Sequence, residues 1–439
     1  MSTIAAVATG PAPGGVGIIR LSGPESLAAA RAVAPGLPAS PRPRFAHLAR
    51  FVDRAGAPLD EGLVLHFPAP ASYTGEDVVE LHAHGSPRLL SLLLGVLLET
   101  GRVRLAGPGE FTRRAWLNGR LQLQAAEAVA DLIAADSEAA VRAAAAQVAG
   151  ALIAQLGPVV EAVRALHADV EAVLSFPDEA EGADDALAPR LSHVREAVAG
   201  LCERARQGRV VRRGARVVMV GPPNAGKSTL FNRMLGEERA LVDEAPGTTR
   251  DALEARLELG GLGVTLVDTA GLREAPGRVE ALGIQRARAE LAAADLVLLV
   301  LPPGEDPEGW HRELATGAPV MEVRSKVDLS PAVPPPGEDA LCVSGLSGEG
   351  VPPLLERVRA RLAGSGTADA VAITGERHAE CLQRADRALD RAQQAHAVST
   401  LEVVAGELGL ALAALLDITG EDASEALLDE VFRRFCIGK

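Results

Sequence analysis

The sequence predicts a multidomain protein: an α+β N-terminal domain, an all-α central helical domain, and an α/β domain with a doubly wound, mainly parallel sheet inserted into the helical one. Three observations carry this. Short β-type runs broken by Gly/Pro turns fill the first part of the chain. Ala/Leu-rich stretches with apolar residues recurring at three and four come next and return near the C-terminus. Between them, apolar runs alternate with helical segments. At 439 residues the chain is also longer than one core usually serves.

Taken in order, residues 1–118 hold the runs Ile4–Val7, Val16–Leu21, Leu63–Phe67 and Val78–Leu81, with one helix expected from Ser86 to Glu99. From Leu121 to about Val173, Val129, Leu132, Ile133, Leu152, Ile153 and Leu156 fit long amphipathic helices. A break is expected across Pro177–Pro189, then a helix to about Gln207. The runs Val217–Val220, Val264–Val267, Leu296–Leu301, Val320–Val323 and Leu341–Val343 are the strands of the α/β domain. After the Gly/Ser segment Gly364–Thr367, helix is expected from Glu376 to Leu416 and nearly to the end. The expected domains are 1–118, 119–210, 211–366 and 367–439, the second and fourth being halves of one helical domain.

Composition bounds the rest. A net charge of −14, from 44 Lys+Arg against 58 Asp+Glu, argues against broad phosphate-backbone binding. A local basic patch such as Arg204 to Arg216 could still take one structured RNA, or be a solvated face. Cys202, Cys342, Cys381 and Cys436 are widely spaced with no CxxC, so neither zinc site nor disulfide framework is indicated. No signal peptide is evident, and the longest apolar run, Leu89 to Leu98, is too short to span a bilayer. A soluble, cytoplasmic protein is expected.

The motifs lie in the inserted domain. Gly221-Pro222-Pro223-Asn224-Ala225-Gly226-Lys227-Ser228 fits the phosphate loop GxxxxGK[ST], between the strand Val217–Val220 and a helix from Thr229 to Leu235. Backbone N–H groups there wrap a β-phosphate, Lys227 reaches the β/γ oxygens, and the Ser228 hydroxyl binds Mg²⁺. Asp268-Thr269-Ala270-Gly271 closes the strand Val264–Val267; its carboxylate can hold Mg²⁺ through water and the Gly271 N–H can sense a γ-phosphate. Gly247-Thr248-Thr249-Arg250-Asp251 reads as a switch segment, with a threonine closing over Mg²⁺, or as a simple Gly-Thr turn. Ser325-Lys326-Val327-Asp328 follows the strand Val320–Val323, and Asp328 can accept both N1–H and N2–H of guanine. GTPases usually carry Asn where Ser325 stands, and the shorter side chain should weaken base contacts or loop bracing. Val343-Ser344-Gly345 would be the last base-contacting loop. The inserted domain therefore reads as a P-loop GTPase. Leu272 follows the DTAG motif, where small GTPases commonly put a water-orienting Gln, so catalysis must recruit another group. Arg250, Arg273, Glu274 and Glu280 are the nearby candidates, each equally readable as a surface charge.

With these residues in place, the sequence resembles the tRNA-modification GTPase family MnmE (also called TrmE) over nearly its full length. The resemblance rests on Thr3 to Thr9 with Gly14 to Arg20, on Tyr73 to Glu80, and on Pro108 to Thr112 followed by Arg114-Ala115. Leu117 to Arg120, Gln124 to Ala128 and the ending Cys436-Ile437-Gly438-Lys439 complete it. It implies an N-terminal domain that dimerises and binds formyl-tetrahydrofolate, and a partner, the FAD-dependent flavoprotein MnmG. Together the two would install an aminomethyl or carboxymethylaminomethyl group at C5 of the wobble uridine of certain tRNAs, as a homodimer within a heterotetramer. By position Arg20, Glu80, Arg120 and Lys439 match the folate site, with Arg120 where other members often carry Lys. Asn224 matches a K⁺ ligand, and Asp243, Ala245 and Thr248 match the loop completing its shell. Glu244, Pro246, Gly247 and Thr249 fill out that nucleotide-contacting stretch, Thr249 beside Mg²⁺. A cation there would take the place of an arginine finger, and Glu280 matches the residue thought to position the attacking water. Cys436 reads either as a thiolate able to add to uracil C6 or as a free thiol in a tail.

Two other classes compete: a ribosome- or RNA-linked GTPase switch without modification chemistry, and an ATP-dependent transport or signalling module. Folate binding and dependence on a flavoprotein separate the first from the favoured reading, and Asp328 speaks against the second.

Overall fold

The computed structural model describes residues 2–10, 13–176, 187–237, 254–268, 289–314, 317–329, 341–363, 373–420, 425–435 and 437–438. In chain order the elements begin β1 (Thr3–Val7), β2 (Gly14–Ser22), α1 (Ser26–Val33), β3 (His47–Val52), β4 (Pro58–Phe67), β5 (Val78–Gly85), α2 (Pro87–Glu99), β6 (Val103–Leu105), α3 (Glu110–Leu117) and α4 (Leu123–Ala134). Three helices follow, α5 (Glu138–Val148), α6 (Ala151–Ser175) and α7 (Leu187–Arg213). The α/β stretch is β7 (Ala215–Val220), α8 (Lys227–Glu237), β8 (Glu254–Leu259), β9 (Leu262–Asp268), β10 (Leu296–Leu301), α9 (Pro307–Glu313), β11 (Val320–Arg324), β12 (Leu341–Cys342) and α10 (Val351–Ala363). Last come α11 (Glu376–Val398), α12 (Leu401–Thr419) and α13 (Glu425–Arg433). The chain forms two compact units, Met1–Ala130 with Leu416–Lys439, and Asp131–Leu415.

The first unit is built on a sheet of order β3-β4-β5-β2-β1-β6, antiparallel except for the parallel β1–β6 pair. Alternation along the strands sorts its faces. Ile19, Leu21, Val79 and Leu81 are buried together with Ala29, Ala30 and Val33 of α1 and Leu90, Leu93 and Leu97 of α2. Helix α2 starts as the sequence foretells: Ser86 is its N-cap, its side chain accepting from the Leu89 N–H, and Pro87 takes the first turn, where a missing N–H costs nothing. A smaller cluster of Ile4, Ala6, Ala106 and Phe111 packs with Tyr73. Leu123 and Ala126 join Leu428, Val431, Phe432 and Phe435, which is how the last helix docks.

The second unit holds α5, α6, α7, α11 and α12 with a second sheet, of order β12-β11-β10-β7-β9-β8. All its pairings are parallel except β8–β9. Both faces of that sheet are apolar: Val217, Met219, Leu298 and Val300 belong to one cluster, and Val218, Val220, Leu299 and Leu301 to another. Hence β10 reads as an unbroken buried run.

Several expectations shift. Helices α1 and α3 and strands β3, β6 and β8 were not anticipated, because each is short or has charges interrupting its apolar positions. Helix α7 already includes Pro189 in its first turn and runs to Arg213 rather than Gln207. The helical stretch expected from Glu376 to Leu416 consists of two helices, parted at Ser399–Thr400. Among the described residues no single helix is long and apolar enough to cross a membrane.

Candidate functional site

The chemistry of the second unit gathers at the C-terminal ends of its parallel strands, as doubly wound sheets dictate. The loop from Gly221 to Gly226 joins β7 to α8. Gly221 has φ +147°, and a Cβ there would sit 2.0 Å from the Val300 carbonyl oxygen, so any side chain would drive β7 from β10. Asn224 is left-handed at φ +60°, a conformation its short polar side chain tolerates. Lys227 opens α8, 6% exposed, and its Nζ donates to the carbonyls of Gly221 (3.0 Å) and Pro222 (2.8 Å). The ammonium is thus held across the mouth of the loop. Ser228 Oγ donates to Asp268 Oδ2 at 2.6 Å, bringing the hydroxyl of α8 and the carboxylate ending β9 together.

The neighbouring strand ends brace this loop. Ser325 is 3% exposed; its N–H donates to the Leu301 carbonyl and its hydroxyl to the Ala225 carbonyl at 2.7 Å. The loop bracing that the shorter side chain was expected to weaken is therefore made by Ser325 directly. Lys326, at φ +58°, lays its stem beside Gly226. Val327 donates to the Val343 carbonyl at 3.4 Å, and Ser344, fully buried, accepts at Oγ from the N–H groups of Leu346 and Ser347. Asp328 lies in a 3₁₀ turn and is exposed. A carboxylate so placed is desolvated only by a ligand that covers it. Thr229 continues α8 from the loop.

Asp243, Glu244, Ala245, Pro246, Gly247, Thr248, Thr249, Thr269, Ala270, Gly271, Leu272, Glu280, Cys436 and Lys439 lie outside the described residues, as do Arg250, Arg273 and Glu274. The oxygen donors that are described, Ser228 and Asp268, are the hard ligands a small divalent cation prefers.

A second constellation stands on the first unit's sheet. Register pairs Arg20 of β2 with Glu80 of β5, and both project from the face opposite Leu21 and Leu81. Arg20 Nε donates to Glu80 Oε1 at 2.9 Å, and its guanidinium lies over the rings of Tyr73 (5.6 Å) and Phe111 (5.8 Å). Tyr73 in turn shares a 2.9 Å hydrogen bond with the Thr112 hydroxyl. His82 Nε2 lies 3.2 Å from Glu80 Oε2, so both carboxylate oxygens are engaged. Burial pushes the Glu80 carboxyl up, but His82 and the charge and hydrogen bond of Arg20 outweigh it and hold it below the ordinary carboxylate range. Arg120 is exposed, its stem against Gly75 in the loop between Tyr73 and Glu80. The tail reaches this unit too: Ile437 bridges to Pro108, and Gly438 fits where a Cβ would meet the Val7 carbonyl oxygen at 2.1 Å. His82 was missed from the sequence, although spacing i, i+2 from Glu80 on a strand puts the two on one face. The roles of Tyr73 and Phe111 as rings flanking Arg20 were missed because those contacts join distant segments.

The basic segment Arg204 to Arg216 is largely taken up by ion pairs: Arg206 with Glu203, Arg212 with Asp131 (2.8 Å), Arg213 with Asp295 (2.5 Å), and Arg216 with Glu254 and Glu290. It is not a free cationic face.

Residues 3–120 match the family model described as GTP-binding protein TrmE N-terminus, and residues 123–436 match that of the MnmE helical domain. The chain is 61% identical over 440 residues to the tRNA modification GTPase MnmE of Myxococcus xanthus, covering all of this chain and 99% of that one. It is 46% identical to the protein of the same name from Alkalilimnicola ehrlichii (100% and 99% covered) and 44% identical to that of Azoarcus sp. (99% and 98%).

Proposed function

Because the chain belongs to the tRNA modification GTPase MnmE family, and is thus a GTP hydrolase acting in tRNA modification, we propose that it works with the flavoprotein MnmG, which carries FAD, to modify C5 of the wobble uridine of certain tRNAs. The one-carbon donor in this reading is formyl-tetrahydrofolate, and hydrolysis is linked to potassium-dependent pairing of the inserted domains in a cytoplasmic homodimer that joins MnmG in a heterotetramer. In this reading residues 1–118 serve folate and dimerisation, 211–366 serve GTP, and 119–210 with 367–439 form the helical part.

The observation that carries the reading is Lys227 held across the phosphate loop, next to a Ser228 hydroxyl bonded to Asp268 at the strand ends. Lys227 would exchange the carbonyls of Gly221 and Pro222 for β- and γ-phosphate oxygens, a stronger, charge-assisted pairing. Mg²⁺, when bound, neutralises charge on those oxygens; Ser228 would hold it directly, Asp268 through water, and Thr249 from the switch segment. K⁺ supplies the further positive charge an arginine finger supplies elsewhere, and Asn224 with Asp243, Ala245 and Thr248 would hold it. Glu280 orients the attacking water. Asp328 reads guanine, with Ser325, Lys326, Val327 and Ser344 shaping its loop. On the other sheet, Glu80 stays ionised and offers carboxylate oxygens to the N–H groups of a pterin, while Arg20, Arg120 and Lys439 complete the folate contacts.

The test is GTP hydrolysis by the purified protein in potassium and in sodium at equal ionic strength, with Asn224→Ala beside it. A large potassium-specific rate lost in the variant is expected. Equal rates in the two salts would remove the potassium role and leave a P-loop GTPase with other catalytic machinery.

A further inference from the structure

With the basic segment of α7 occupied by ion pairs, the first unit offers a different cationic site: a cavity of about 570 Å³ between α3, the loop before it and α13. Arg104, Arg113, Arg114 and Arg433 line it, against only two carboxylates, Glu110 and Asp429. Residues 110, 113, 114 and 117 recur at three and four and share one face of α3, whereas Phe111, which touches Arg20, lies off that face. The cavity is therefore separate from the Arg20–Glu80 constellation.

Its wall has a fixed half and an available half. Arg114, 4% exposed, donates to Glu76 Oε2 (2.9 Å), to Glu110 Oε1 (2.9 Å) and to the Ser2 carbonyl (2.8 Å). Arg104 also donates to Glu110 (2.8 Å), and the Gly107 N–H caps the same carboxylate (2.8 Å), so the Glu110 charge is fully answered within the protein. Arg113 has only the 3.4 Å contact of Nη1 with Asp429, and its Nε is buried with no hydrogen-bond partner among the described residues. Arg433, exposed on α13, has no carboxylate within ion-pair distance among the described residues. Arg113, loosely held by Asp429, and the exposed Arg433 thus line a concavity in which the Glu110 charge is already answered, a geometry suited to the oxygens of a phosphate.

We propose that this cavity docks a backbone phosphate of the RNA substrate, an inference that rests on the tRNA reading above. On a chain of net charge −14 an RNA backbone is repelled by most of the surface, and a local cationic concavity is where it can settle. The docking fixes position and carries no base specificity.

The experiment uses the full chain and an unmodified tRNA transcript, with affinity measured across a salt series for Arg113→Gln, Arg433→Gln and the double variant. Arg434→Gln serves as control, since Arg434 pairs with Glu430 and does not line the cavity. Each cavity variant should weaken binding several-fold and flatten the slope of log affinity against log salt by about one, while the control binds like the parent. Arg113→Lys and Arg433→Lys should keep the slope while losing part of the affinity, which separates lost charge from misfolding. Unchanged affinity and slope in the double variant overturn the proposal, as does an equal loss in Arg434→Gln. So does a cavity that inorganic phosphate stabilises against heat while tRNA affinity ignores the substitutions, which would mark a small-molecule phosphate site. Failure here leaves potassium-dependent GTP hydrolysis, read separately, untouched.

Discussion

The sheet of the first unit buries Ile19, Leu21, Val79 and Leu81 on one face and carries Arg20, Glu80 and His82 on the other, whereas the nucleotide sheet is apolar on both. That difference decides where each can keep its chemistry. A strand covered on both sides leaves little room for charge, so the groups able to meet a nucleotide sit at the strand ends, in short runs contiguous in sequence. A strand covered on one side can present a polar residue at every second position, and the first unit's groups are assembled by register across β2 and β5 and by the segments at Tyr73 and Phe111. Ion pairs occur in both units, as between Arg216 and Glu254 in the second, but only in the first does such a pair, Arg20 with Glu80, make up the candidate site itself.

The largest expected effect follows from that contrast. Burial alone would raise the Glu110 carboxyl, but Arg104, the Gly107 N–H and Arg114 outweigh it and bring it down to about 2 from an ordinary 4.5. A folded-state value below the unfolded one means stability that is full above about pH 4.5 and is lost as pH falls towards 2, on the order of 2 to 3 kcal/mol for a carboxyl this enclosed. The two tryptophans report the units separately, Trp116 in the first and Trp310 in the second. In acid titrations of Trp116→Phe and Trp310→Phe proteins, the first unit's signal should change at higher pH than the second's. Glu110→Gln should lower the first unit's stability at neutral pH and flatten its acid transition. Coincident transitions indifferent to Glu110 would break the contrast.

The next effect falls on the register-built site. Replacing Glu80 with Gln keeps the shape but gives up an ionised acceptor held by Arg20 and His82. Hydrogen bonds to charged groups contribute about 1.5–3 kcal/mol, so the affinity for formyl-tetrahydrofolate, followed calorimetrically, should drop roughly 10- to 100-fold. The carboxylate is as enclosed as that of Glu110 and is paired with Arg20, so the melting temperature should fall as well, and the affinities are compared at a temperature where both proteins are folded. A folate affinity that survives the change would detach Glu80 from the ligand.

The same contrast explains what could be read in advance. The phosphate loop, Asp268 and the Ser325–Asp328 segment were legible because each is a short run whose chemistry and local backbone are set together, and the apolar runs of β7, β9 and β10 announced their sheet. Arg20 and Glu80 were named through resemblance alone; nothing in their local sequence says that they pair. His82, Tyr73 and Phe111 needed the fold, since a strand's partner and a ring's neighbour are non-local. Strand β8 was overlooked because Glu254, Arg256 and Glu258 alternate with the residues it shows to the core, Ala255, Leu257 and Leu259, leaving no apolar run.

The smallest effect concerns Ser325, where a loop-built site can be tuned without touching its strands. The hydroxyl donates to the Ala225 carbonyl inside the phosphate loop, linking the base-reading segment to the phosphate-reading one. Ser325→Ala removes the donor and leaves that acceptor without it, a cost of about 1 kcal/mol to the loop's held conformation. The expected result is a several-fold rise in KM for GTP with kcat nearly unchanged, because the bond orders the site before substrate arrives and does not change during phosphoryl transfer. Ser325→Asn restores a donor of the type usual at this position, but on a longer side chain at a buried site. It should recover guanine affinity only if the longer side chain still reaches the Ala225 carbonyl. A fall in kcat with KM unchanged in the alanine variant would instead show the bond to be made in the transition state, and would tie this loop to catalysis as closely as the phosphate loop itself.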